Sequence, residues 1–175
     1  SSTINLENVF VTEANLIVHE GEGFRHIESC LPQILLCLSA EALGIMEVLN
    51  KLTVEYSKTR KQFGAPIGSF QALQHRMVDN FMAFEQSKSM VYRGICESTS
   101  FNKNDIDINQ FLKTAHAVKA LIAKNSKQIG DESIQIHGGI GMTDELNIGH
   151  FVKRLMMINV LFGDGDFHRQ CFSQN

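Results

Sequence analysis

Three stretches of this chain carry residue types whose spacing could do chemistry. The first is Gln135-Ile136-His137-Gly138-Gly139-Ile140-Gly141-Met142-Thr143-Asp144-Glu145. A helix loses about 1 kcal/mol per glycine, so a loop is expected here between two helical segments. Closely spaced glycines let the backbone take positive φ and bring its amides near a ligand, and Thr143-Asp144 can cap the helix that follows. A Schellman stop between two helices explains the same glycines. The second stretch, Tyr56 to Gly64, puts Arg60 at a helix C-terminus before a glycine turn. A cation there complements the helix dipole; alternatively its planar fork meets a phosphate. Spacing leaves both readings open. The third is Phe162-Gly163-Asp164-Gly165-Asp166. Asp164 and Asp166 read as turn formers or, being paired carboxylates, as candidates for proton abstraction.

Histidines 19, 26, 75, 116, 137, 150 and 168 raise the question of a metal. A di-iron helix bundle uses Glu-x-x-His pairs, and no histidine here has a glutamate three residues before it. No metal site is expected, and His137 reads as a packing or backbone-bonding residue.

The elements that must position these stretches are mainly helices. Ile4 to Val11 alternates and then runs β-branched, which predicts one N-terminal strand. From Pro32, placed in a first helical turn, Leu35, Leu38, Ala42, Ile45, Leu49, Leu52 and Tyr56 mark one face of a helix to about Arg60. After the Gly64 to Gly68 turn, a second stripe runs Phe70, Leu73, Met77, Phe81, Phe84, Val91 and Ile95, broken at Ser98 to Lys103. Asp107 with Gln110 resembles a capping box for a third helix with Ala115, Val118, Ile122, Ile129 and Ile136 on its face. A fourth helix is expected from Glu145 to about Asn159, and a last stub ends near Phe172. The fold class is all-α, an antiparallel four-helix bundle with a short N-terminal β-strand segment.

Composition narrows the function. With 175 residues, 43% of them apolar, the chain can bury a substantial core. A net charge of −3 provides no basic surplus for nucleic acid. Continuous apolar runs such as Ile34 to Leu38 fall short of a membrane span. Cys30, Cys37, Cys96 and Cys171 lack Cys-x-x-Cys spacing and are expected as buried thiols of a cytoplasmic protein.

Arg60-x-x-Phe63-Gly64 with Gln71, followed by Gln135-Ile136-His137-Gly138-Gly139-Ile140-Gly141, resembles the C-terminal helical domain of the acyl-CoA dehydrogenases. The resemblance runs from Leu6-Glu7-Asn8-Val9 and Gly21-Glu22-Gly23-Phe24 to the end. It implies that residues 1–23 are the end of a middle β-domain with its linker, and that 24–175 form the bundle, within a longer protein. It also implies FAD as cofactor. A carboxylate removes the α-proton of an acyl-CoA thioester while the β-hydride passes to the flavin, giving a trans-2-enoyl-CoA, and an electron-transferring flavoprotein takes the electrons. Arg60 then approaches the FAD pyrophosphate, Phe63 the adenine side, and Gln71 makes a nearby polar contact. Gln135, Gly138 and Gly139 line the same cofactor across a subunit interface.

The family pattern is broken at the base. Most members carry Glu-Gly-Thr after the fourth helix, where this chain has Phe162-Gly163-Asp164, and a second family position for the base holds Ile34. The Leu161-Phe162-Gly163-Asp164 form resembles a bacterial branch acting on dicarboxylic, aromatic or steroid-derived acyl-CoAs, often as two-subunit complexes. Either Asp164 or Asp166 takes the base role, or the chain supports flavin for a paralogous subunit without doing chemistry. Homo- or hetero-oligomers are expected, and the 175 residues alone are expected to be inactive.

Overall fold

The computed structural model describes residues 3–103 and 105–174. The chain divides into two compact units, residues 1–31 and 32–175. In the first, Ile4 to Val11 form no strand, and a single 3-10 turn spans Glu13–Asn15. The predicted N-terminal strand is therefore corrected: an extended segment becomes a strand only when a neighbour completes its ladder. The only strands among the described residues are β1 (Lys61–Gln62) and β2 (Ala65–Pro66), paired antiparallel.

Helix α1 runs Gly23–Thr59, so it starts well before the expected Pro32, which sits inside it. Proline in a helix interior costs about 3 kcal/mol, and here it did not set the boundary. By length and composition α1 could also cross a bilayer, although no continuous apolar run suggested so. Leu35, Ala42, Met46 and Leu49 on α1 nevertheless lie wholly inside the bundle core. Its buried hydroxyls are satisfied locally, Ser39 donating to the Leu35 carbonyl and Thr53 to that of Leu49.

Helices α2 (Gln71–Asn102), α3 (Ile108–His137), α4 (Ile148–Val160) and α5 (Gly165–Gln174) complete the fold. Helix α3 is the axis, packed by α2, α4 and α5. The α2–α3 pair is antiparallel, since Phe101 stacks on Phe111, Asn125 bonds to Ser87, and Arg76 pairs with Glu132. Asp107 caps α3 as expected, its carboxylate accepting from the Gln110 amide at 2.8 Å. The expected α3 stripe, Ala115, Val118, Ile122, Ile129 and Ile136, is buried throughout.

Several expectations need correction. The α2 stripe is only partly inward: Phe84 and Val91 are core, whereas Phe81 and Ile95 are exposed and Asn80, Ala83, Ser87 and Gly94 are buried. Close helix approach selects these smaller residues; a Cβ on Gly94 would stand 2.4 Å from Leu36 Cδ2. Helix α2 continues through the expected Ser98 break to Asn102. Helix α4 begins at Ile148 rather than Glu145, and Thr143 bonds back to Ile140 instead of capping it. Cys30, Cys37 and Cys96 are exposed, not buried, and Cys171 is half-buried.

Candidate functional site

Arg60 follows the last residue of α1. Its amide donates to Tyr56 O at 2.9 Å, and its carbonyl accepts from the Ile67 amide at 2.8 Å. The backbone is thus held on both sides, while the exposed guanidinium makes no ion pair or hydrogen bond among the described residues. Lys61 faces Pro66 and Gln62 faces Ala65, which leaves Phe63 and Gly64 as a two-residue hairpin turn. Their φ values of 52° and 82° are those of a type I′ turn. Glycine suits the second position, whereas a phenylalanine at positive φ stores strain on the order of 1–3 kcal/mol. The Phe63 ring is 94% exposed. Gln71, also exposed, opens α2 directly after this turn.

The glycine stretch is more helical than its composition suggests. Helix α3 carries Gln135 and His137, and Gly138–Met142 continues as a 3-10 turn. Gly138, at φ 65°, ends the α-helix by donating its amide back to the Ile134 and Gln135 carbonyls. A Cβ at Gly138 or Gly139 would meet nothing within 4 Å, so the backbone here is open to an approaching molecule.

Tyr56 joins the two corners. Its ring stacks on His137 with centroids 4.4 Å apart, and its hydroxyl donates to the His137 carbonyl at 3.3 Å. One turn deeper, the Thr53 and Ser133 hydroxyl oxygens lie 3.2 Å apart, and His137 Nδ1 contacts the Ser133 carbonyl at 2.7 Å. His137 is therefore the packing residue expected, and Arg60, Phe63, Gln71, Gln135, Gly138 and Gly139 share one end of the bundle.

The acids stand elsewhere. Asp164 caps α5, accepting from the Phe167 amide at 2.8 Å, and the exposed Asp166 pairs with Arg169. Phe162, at φ 58°, is half exposed; Ile34 is a half-buried residue of α1. Beneath this turn lies a cluster that sequence reasoning missed. Lys119 is fully buried, and its Nζ donates to the Gly163 carbonyl at 3.1 Å. Burial pushes its pKa down, while the Asp164 carboxylate opposes that shift. His116 and His168 bring their Nδ1 atoms to 2.7 Å. The His168 pKa falls to about 4, through burial first and then the positive charges of Lys119 and His116. The signal was legible: Lys119 falls four residues after Ala115 and three before Ile122, within the apolar stripe of α3. Lys119 and His137 mark two places on α3 about 27 Å apart at the helical rise.

Over residues 21–175 the chain matches the model of the acyl-CoA dehydrogenase C-terminal domain. It belongs to the acyl-CoA dehydrogenase family. It is 30% identical over 163 residues to a mitochondrial 2-methylacyl-CoA dehydrogenase of Solanum tuberosum, covering 93% of this chain and 38% of that relative. With acyl-CoA dehydrogenase IpdE2 of Mycolicibacterium smegmatis it shares 40% identity over 119 residues, covering 68% of this chain and 34% of the other. A solved structure of PigA with FAD and proline superposes with a TM-score of 0.84 at 27% identity, over 96% of this chain and 42% of that one. The chain spans about two-fifths of the length of the curated relatives it matches.

Proposed function

We infer that this chain is the C-terminal helical domain, residues 24–175, of an FAD-dependent enzyme that converts an acyl-CoA thioester to a trans-2-enoyl-CoA. Residues 1–23 are assigned to the end of the preceding β-domain and its linker. The observation that carries this reading is the Tyr56–His137 contact, which holds the two corners at one end of the bundle. An exposed arginine with no ion pair, an outward aromatic ring and an open glycine backbone together fit a dinucleotide, which has an anionic diphosphate and a planar base. Arg60 would hold the diphosphate, Phe63 the adenine side and Gln71 a neighbouring polar group, with Gln135, Gly138 and Gly139 along the same molecule.

Bound FAD supplies an acceptor for the β-hydride. This chain's residues bind, orient and exclude water. The separation along α3 supports a two-subunit arrangement, in which the dinucleotide corner serves one flavin and the Phe162–Asp164 turn faces another. Further copies, or a paralogous subunit, and an electron-transferring flavoprotein are the expected partners, in a cytoplasmic enzyme. In the full-length protein, Arg60→Ala should weaken FAD retention on the order of tenfold, the scale of a lost charge-assisted hydrogen bond. Unchanged FAD content would overturn that role.

A second reading is favoured by one observation. Asp164 spends a carboxylate oxygen on capping α5, and the usual position of the base is Phe162. On this reading the chain is a flavin-supporting subunit whose partner performs proton abstraction. The visible spectrum of the full-length protein, purified alone and mixed with acyl-CoA thioesters, separates the two. Flavin that bleaches indicates a self-sufficient enzyme with Asp164 or Asp166 as base; flavin that never bleaches indicates the supporting subunit.

A further inference from the structure

The Phe162–Asp164 turn is held from beneath by groups that neither reading above employs. Phe162 and Gly163 both have positive φ, at 58° and 110°. For phenylalanine this conformation persists only where its surroundings determine it. The restraints on the inner side are specific. Lys119 Nζ, on a residue with no exposed surface, donates to the Gly163 carbonyl. His168, equally buried, packs under the same turn, and its Nε2 has no hydrogen-bond partner among the described residues. A Cβ at Gly163 would stand 3.1 Å from that nitrogen and 2.4 Å from the Phe167 ring, so the turn sits directly on α5.

The contact between the two histidines limits their tautomers. The Nδ1 to Nδ1 contact of His116 and His168 requires one donor and one acceptor. Nε2 is the His168 nitrogen on the side of Gly163, and we assign the proton there, which leaves Nδ1 bare. His116 must then donate from Nδ1. The order of donors then runs from His116 on α3 to His168, with Lys119 alongside.

We propose that Lys119, through the Gly163 carbonyl, and His168, packed beneath the same turn, are positioning residues that hold Phe162–Asp164 in place and so fix the face it presents to the acyl-CoA thioester. The proposal rests on the acyl-CoA dehydrogenase reading for the identity of that ligand; the restraint itself is a property of this chain.

Two measurements on the full-length protein test it. Long-range nitrogen–proton correlation with 15N-labelled histidine should show His168 neutral at pH 7 with its proton on Nε2. A proton on Nδ1 overturns the proposal. Amide hydrogen exchange should then quicken on the order of tenfold at residues 162–167 in Lys119→Met and His168→Leu, with central α3 amides unchanged. His168→Gln, which keeps a donor, should restore protection. Exchange at the wild-type rate in the Leu variant, or a Gln variant as fast as Leu, overturns the proposal. If Lys119→Met does not fold, the two His168 variants decide it. Absence of flavin from the wild-type protein would sink the reading of the ligand, while tautomer and exchange would still decide the restraint.

Discussion

Tyr56 lies flat against His137, ring on ring, and also donates its hydroxyl to the His137 carbonyl. The last turn of α1 is thereby fastened to the last turn of α3, and with it Arg60 to the glycine corner. Removing the ring should loosen both corners. Tyr56→Ala is expected to lower stability by about 3 kcal/mol, as aromatic truncations do, and to weaken FAD retention in the full-length protein. Tyr56→Phe keeps the stack and loses one hydrogen bond, a cost of about 1 kcal/mol. Urea denaturation with a parallel flavin titration checks both.

Phe63 should separate stability from binding. Asparagine tolerates the left-handed conformation that Phe63 is forced to adopt. Phe63→Asn should therefore stabilise the protein by about 0.5–1 kcal/mol and at the same time weaken flavin retention. A variant that loses stability, or retains flavin as well as the wild type, would contradict the assignment of this ring.

His168 sets the response to acid. Its folded pKa of about 4 lies below the ordinary 6.5, so between these values the unfolded chain binds more protons than the native one. Its contribution is complete above pH 6.5 and is lost as the pH falls toward 4. His116, also lowered by burial, acts in the same direction. His168→Gln should flatten the stability–pH curve over this window in denaturant titrations at stepped pH.

Glu41 contributes lower on the scale. Arg154, on α4, donates to it through Nε at 2.5 Å and a terminal nitrogen at 2.8 Å. That hydrogen bonding lowers the Glu41 pKa; burial opposes it, and the charge of Arg154 adds the smallest, lowering contribution. A depressed carboxylate pKa means stability that is present above the ordinary carboxylate range and lost below it. The pair is solvent-exposed, so the effect should be small and shrink in salt. Acid titration of Glu41→Gln at low and high ionic strength measures it.

The helices were largely legible because α3 combines a capping aspartate with an uninterrupted apolar stripe. Its neighbours were less so. Helix α2 buries Asn80, Ser87 and Gly94 against the core, where apolar periodicity alone points to Phe81. Pro32 read as a start because proline suits first turns, yet residues before it also propagate the helix. At the site, Arg60 and the glycines were found as separate motifs. Their juxtaposition depends on Tyr56 meeting His137 across the bundle, which no local spacing contains. Lys119 was overlooked because its neighbours form a stripe, and a stripe directs attention to the apolar positions.

The length of α3 has a consequence of its own. Because the Arg60–glycine corner and the acid turn are both attached to one uninterrupted helix, their separation and mutual rotation are set by residue count. Inserting a single residue between Ile122 and Ser133 would turn one end about 100° against the other; inserting seven would nearly restore the phase but lengthen the span by about 10 Å. The helix is a ruler with an angular scale, and drift in this family should be freer in the sequence of α3 than in its length.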